Sequence, residues 1–210
     1  MLSLVFAAVI FFTLAQSNPI TKRDTYIGST TQNQLFDGTP CRAITIIFAR
    51  GTFEAGNVGT LTGPPFFQAV SDLTGGNVAV QGVDYPANVF GFLGGGDSDG
   101  LQKMASLVAT AVQKCPSTKV VLSGYSQGGQ LVHNAGRLLG SLGALVSSAV
   151  IFGDPFNGRS VDNVSPQRTL IICHPLDNIC QGGALILPSH LDYAADAPRA
   201  AQFVVQAAAT

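Results

Sequence analysis

Tryptophan is absent from this 210-residue chain, methionine occurs twice, and Glu54 is the single glutamate among twelve acidic residues. Charged residues make up only 11% of the sequence, and eleven basic against twelve acidic side chains leave a formal net charge of -1. That balance provides no basic stripe to release counterions from phosphates, which excludes nucleic acid as a partner. The shortage of Glu and Lys removes the material of long solvated helices and argues against a helical bundle. Intrinsic disorder is excluded from the other side, because 46% of the residues are hydrophobic. Twenty-four glycines and eleven prolines imply many tight turns, and the length suits one compact domain.

One long apolar run exists, at 2–15. It is too short to span a bilayer comfortably, and the small residues Ala15 and Ser17 follow at signal-peptidase spacing. Residues 1–17 are therefore expected to be a signal peptide, the protein secreted and extracellular, with no membrane span. The dibasic pair Lys22-Arg23 suggests a short pro-segment, and residues 18–40 are expected to be either that or a loose lead-in to a single domain over 41–210. Four cysteines in an exported chain suggest two disulfides. Neither they nor the three histidines have metal-ligand spacing, so no metal is expected.

Five β-branched runs, at 44–49, 78–83, 119–123, 146–152 and 169–173, read as strands buried on both faces. Helical patterns separate them at 66–73, 100–114 and 127–139, and a last helix begins at Pro198. Such alternation means an α/β fold: a parallel, doubly wound sheet covered by helices on both sides. All strands then start at one edge. Cys41 and Cys115 precede the first and third strands, whereas Cys173 and Cys180 lie at or beyond the end of the fifth. A disulfide reaches only about 7 Å between Cα atoms, so the expected pairs are Cys41–Cys115 and Cys173–Cys180. The first makes strands one and three neighbours, as in a 2-1-3-4-5 order.

The third strand runs into Gly124-Tyr125-Ser126-Gln127-Gly128 and then a helix, which is G-x-S-x-G in the strand-turn-helix setting of a nucleophile elbow. Serine needs a base held by an acid. His190, after the last strand, leaves room for an acid between nucleophile and base, the α/β-hydrolase chain order. His174 is the runner-up, and His133, two turns along the helix that follows the serine, is read as structural. Asp177, inside the Cys173–Cys180 loop, is the expected acid. Its competitor Asp154 reads as a turn residue before Pro155, and Asp192 and Asp196 read as caps of the final helix. The oxyanion hole is expected from the main-chain amides of Gln127 and of Thr52, the latter in the loop leaving the first strand. On this reading the Gln127 side chain is replaceable. The alternative for Thr52 is a plain turn residue.

The stretch Pro116 through Gly128, together with Cys173-His174-Pro175-Leu176-Asp177-Asn178-Ile179-Cys180, resembles the cutinases, a family of small secreted fungal serine esterases. The resemblance covers nearly all of 41–210. It implies a three-layer α/β/α fold, a five-stranded minimal α/β hydrolase without a lid. It also implies hydrolysis of cutin-like polyesters and small acyl esters through Ser126, Asp177 and His190, with Thr52 and Gln127 as the oxyanion hole. Threonine stands at 52 where many members carry serine.

Val89, Phe90, Phe92 and Leu93 after the second strand, and Leu185, Ile186 and Leu187 before His190, are expected to rim the site and bind acyl chains or an insoluble polyester surface. The other reading places them in the core. No cofactor is expected: no G-x-G-x-x-G follows the first strand, and the Gly94-Gly95-Gly96 run lacks the Lys-Ser/Thr of a phosphate loop. A monomer is the expected form. Two rivals remain: an acetylxylan esterase of the same fold, and a non-catalytic secreted binding protein.

Overall fold

The computed structural model describes residues 25–210. The expected signal peptide at 1–17 and the pair Lys22-Arg23 lie outside the described residues. Five parallel strands form one sheet in the order β2-β1-β3-β4-β5. They are β1 (Ile44–Ala49), β2 (Val78–Gly82), β3 (Lys119–Tyr125), β4 (Val146–Phe152) and β5 (Thr169–Ile172). The helices are α1 (Gly63–Thr74), α2 (Val89–Leu93), α3 (Ser98–Lys114), α4 (Gln127–Leu139) and α5 (Ala197–Ala208).

Alternating side chains of each strand feed two cores, which is why the strands carry continuous apolar runs. Ile47, Ala49, Leu122 and Ile151 meet Met104, Leu107 and Val108 of α3 and Leu131 and Ala135 of α4. On the opposite face Ile46, Phe48, Val121 and Phe152 meet Phe66, Phe67 and Val70 of α1 and Ala201 and Val204 of α5. Phe67 sets its edge against Phe48 at 5.0 Å, and Phe66 against Phe152 at 5.3 Å. These are favourable edge-to-face geometries for ring quadrupoles.

The departures from the expected elements are small and have local causes. β3 continues to Tyr125, because Gly124 and Tyr125 still pair with Ile151 and Phe152. Residues 89–93, expected as a loop, form the one-turn α2, whose start is capped by Asn88 Oδ1 accepting from the Gly91 amide at 2.9 Å. The segment expected as a loose lead-in is tied down from Tyr26 onward. Tyr26 is buried, and Gln34 bonds to the outer strand twice: its amide donates to the Val80 carbonyl at 3.0 Å, and its side-chain Oε1 accepts from the Val80 amide at 2.7 Å. Gly82 donates to the Gln32 carbonyl at 2.9 Å, so this segment runs antiparallel along the free edge of β2.

Both disulfides pair as the strand order requires, with Cα separations of 5.5 Å for Cys41–Cys115 and 6.0 Å for Cys173–Cys180. The first joins residues 74 apart, the second residues 7 apart. In the chain-entropy account the longer loop restricts the unfolded chain more. Replacing Cys41 and Cys115 together by serine is expected to lower unfolding free energy by about 4 kcal/mol. The same change at Cys173 and Cys180 is expected to cost about 2–3 kcal/mol, both read from urea unfolding curves.

Candidate active site

The carboxyl ends of β1, β3, β4 and β5 face the same edge, and the loops leaving them converge there. Ser126 stands between β3 and α4 with φ 56° and ψ -120°, a backbone state costing a non-glycine residue about 1–3 kcal/mol. Its surroundings hold it. The Ser126 amide donates to the Phe152 carbonyl at 2.9 Å, and its own carbonyl accepts from Gly129 at 2.8 Å. A Cβ on Gly124 would lie 2.3 Å from the Gly128 carbonyl oxygen, and one on Gly128 would lie 2.0 Å from that of Ala49. Both flanking residues must be glycine for β1, β3 and α4 to approach this closely.

The structure brings Ser126, His190 and Asp177 into one line. His190 Nε2 is 2.9 Å from Ser126 Oγ, and Nδ1 is 2.8 Å from Asp177 Oδ2. With Nδ1–H given to the carboxylate, Nε2 is left to accept from the serine hydroxyl. His190 and Asp177 are buried, and the imidazole is packed between its neighbours at the floor of the cleft. The Tyr125 ring stacks on it at 5.1 Å while its hydroxyl donates to the His190 carbonyl at 2.7 Å. A Cβ on Gly153 would lie 2.8 Å from His190 Cε1, so that glycine makes room for the ring.

Asp177 Oδ2 accepts a second bond, from the Tyr193 hydroxyl at 2.6 Å, and Oδ1 accepts from the Ile179 amide at 3.0 Å. Burial pushes the carboxyl up, but the bonds from His190 and Tyr193, the His190 charge and the Ile179 amide together hold it below the ordinary carboxylate value. Burial and the neighbouring Asp177 push the Tyr193 phenol far up, so it remains an O–H donor. Tyr125 and Tyr193 were not singled out by sequence reasoning. Adjacency to Ser126 was the only signal for Tyr125, and none existed for Tyr193.

Thr52 lies across the crevice from Ser126. The Gln127 side chain, expected to be replaceable, bridges it to α2: Nε2 donates to Thr52 Oγ1 at 3.2 Å and to the Asn88 carbonyl at 2.6 Å. Glu54 was also unforeseen. Its Oε2 accepts from the Gly51 amide at 2.8 Å, and Oε1 accepts from Thr60 and Leu61 at 2.9 and 3.0 Å, pinning the loop that carries Thr52.

A cleft of about 270 Å³ opens above Ser126. Val89, Phe92 and Ile186 line it, joined by Phe53, Leu61, Ile179 and Leu191, which sequence reasoning missed. Phe90, Leu93, Leu185 and Leu187 lie exposed beside it on the same segments. The remaining histidines are engaged elsewhere. His133 is buried, its Nε2 2.9 Å from Asp154 Oδ2 and its Nδ1 3.1 Å from the Ser160 carbonyl. Asp154 is thus more than a turn residue, although it also accepts from the Phe156 amide at 2.9 Å. His174 contacts the Ser189 carbonyl and Asp196 and makes no contact with Ser126. Asp196, expected as a helix cap, makes no side-chain cap bond, because its carboxylate is turned to His174.

A five-stranded parallel sheet flanked by helices, with a strained serine at the exit of its central strand, is the α/β-hydrolase fold. The family model described as Cutinase matches residues 40–208. A cutinase of Botryotinia fuckeliana is 58% identical over 170 residues, covering 80% of this chain and 84% of its own. One from Monilinia fructicola is 53% identical over 169 residues, with 80% and 84% covered. Among solved structures, a Trichoderma reesei cutinase in complex with a phosphonate inhibitor superposes with a TM-score of 0.80 at 46% identity, covering 86% of this chain and 80% of its own. An acetyl xylan esterase superposes with a TM-score of 0.64 at 25% identity, covering 80% and 100%. The chain belongs to the cutinase family and is a carboxylic ester hydrolase.

Because the folded Asp177 carboxyl titrates below the unfolded one, the stability it adds is complete above the unfolded value of about 3.9 and disappears as pH falls through the folded value. Tyr193→Phe removes one of the bonds that lower it. The variant is expected to unfold in acid at a higher pH than the wild type, followed by circular dichroism.

Proposed function

We propose that Ser126 attacks the ester carbonyl as His190 accepts its proton, with Asp177 stabilising the imidazolium. The main-chain amides of Thr52 and Gln127, the latter at the positive end of α4, receive the oxyanion. His190 then passes the proton to the departing alcohol, and water hydrolyses the acyl-enzyme by the same relay. The observation that carries this reading is the unbroken Ser126–His190–Asp177 hydrogen-bond chain at the floor of an apolar cleft. A phosphonate, as bound by the Trichoderma reesei relative, is a tetrahedral mimic of the intermediate on such a path.

The substrates are cutin-like polyesters and small acyl esters. Phe53 and Phe90 are each 80% exposed at the mouth, and Leu185 adds to the apolar rim. A rim of this kind favours acyl chains and waxy surfaces over the acetyl groups of a polysaccharide. Two disulfides suit an oxidising, extracellular setting.

Ser126→Ala is expected to lower p-nitrophenyl butyrate hydrolysis by about 10⁴-fold or more, and to abolish fluorophosphonate labelling, with the circular dichroism spectrum unchanged. Retained turnover in that variant overturns the mechanism. Gln127→Leu leaves the main-chain donor but frees Thr52 and α2, and is expected to lower kcat by roughly tenfold. Across an acyl series, butyryl and longer esters are expected to outpace acetyl esters; the reverse order assigns the cleft to acetyl substrates.

A further inference from the structure

His174 is the one histidine that touches the segment carrying His190. Its Nδ1 lies 2.8 Å from the carbonyl oxygen of Ser189, the residue before His190, and its Nε2 lies 2.5 Å from Asp196 Oδ2. Both partners only accept hydrogen bonds. A neutral imidazole has one N–H and would turn a lone pair toward one of these oxygens, whereas an imidazolium satisfies both. The ring lies flat on Tyr193, with centroids 4.1 Å apart and planes 19° apart, an arrangement that favours the cation. The His174 amide donates to the Tyr193 hydroxyl at 3.0 Å, and that hydroxyl in turn donates to Asp177. His174 therefore reaches the base through Ser189 and the acid through Tyr193.

The turn Pro188–His190 hangs from two points. Tyr125 holds the His190 carbonyl and His174 holds the Ser189 carbonyl next to it. Losing one leaves the turn attached but lets the imidazole swing, and near-attack geometry tolerates little displacement. Resting on the proposed roles of Ser126, Asp177 and His190, we infer that His174 is a positioning residue: as an imidazolium between Ser189 and Asp196 it fixes the His190 segment, and loss of its proton loosens that segment and slows turnover.

The groups facing His174 are the carboxylates of Asp196 and Asp192 and the Tyr193 phenol, all from the segment leading into α5, and the Ser189 carbonyl. On its own loop, Asp177 lies beyond the Tyr193 hydroxyl. Partial burial lowers the imidazole, but the Asp196 bond, the Ser189 carbonyl and the charges of Asp196 and Asp192 together raise it above the ordinary histidine value. The hold is accordingly complete below that ordinary value and is lost as pH rises through the raised one.

The test is the pH dependence of kcat and KM for p-nitrophenyl butyrate from neutral to alkaline pH, in the wild type, His174→Ala and Asp196→Asn. The wild type is expected to lose kcat on the alkaline side. In Asp196→Asn the neutral ring keeps both bonds, Nδ1–H to Ser189 and Nε2 accepting from the new amide, so the alkaline fall is expected to vanish. His174→Ala is expected to lower kcat about tenfold with KM changed less than twofold, and to lack the alkaline fall. An alkaline fall of equal size and position in wild type and Asp196→Asn overturns the inference, as does a His174→Ala kcat within twofold of wild type. If His174→Ala does not fold, Asp196→Asn decides alone.

Histidine ¹⁵N NMR of the Ser126→Ala protein separates this inference from the mechanism beneath it, because it needs no turnover. His174 is expected to titrate above the ordinary histidine range and to shift the His190 amide as it does so. A His190 amide indifferent to that titration sinks the positioning role, whatever the fate of the serine.

Discussion

The left-handed backbone at Ser126 is the constraint around which the molecule is arranged. A serine relaxes out of that conformation unless the chain on both sides is fixed. Here β3 fixes it on one side through its pairing with β1 and β4, and α4 fixes it on the other through its contact with the end of β1. Gly124 and Gly128 are needed because the backbones meet with no space for a Cβ. Strand order is tied to the same constraint: Ser126 leaves the sheet where β1 and β3 are neighbours and their connections diverge, which is where a crevice opens.

Continuous apolar runs and a few punctuating residues made most of this legible in the sequence. β1, β4 and α4 begin and end where their hydrophobic patterns do, because strands buried on both faces and a helix starting at a G-x-S-x-G turn leave few alternatives. The disulfides followed from which sheet edge each cysteine occupies. Chain order favoured His190, the clamped Cys173–Cys180 loop favoured Asp177, and their side chains do meet. What escaped was every contact made by a side chain that carries no motif. Tyr193 sits sixteen residues from the carboxylate it serves, and Glu54 binds amides on both sides of its own loop. Asp196 looked like a cap because it precedes a helix, but a nearby imidazole outcompeted the helix amides for its carboxylate. Side-chain competition of this kind depends on distances that spacing along a chain does not encode.

Electrostatically, the pairing that recurs in this sparsely charged molecule is that of histidine with aspartate. Each of the three histidines faces an aspartate: His133 with Asp154, His174 with Asp196 and His190 with Asp177. The surroundings differentiate them. The first pair is buried between α4 and the loop after β4, the second is partly open to solvent, and the third reaches a hydroxyl on its far side. One chemical couple thus meets a main-chain carbonyl in two places and a serine hydroxyl in the third, which is what sets the proposed relay apart from the fasteners.

The strip of main chain at 32–34 laid along β2 has a consequence for the molecule in company. An outer strand with bare amides and carbonyls is a template on which a neighbouring polypeptide can add itself. On that flank Gln32 and Gln34 already occupy the groups of Val80 and Gly82, leaving a crowding neighbour nothing to extend there. The opposite flank is β5, only four residues long. Two muted borders thus leave the sheet little bare edge on which a second copy could fuse.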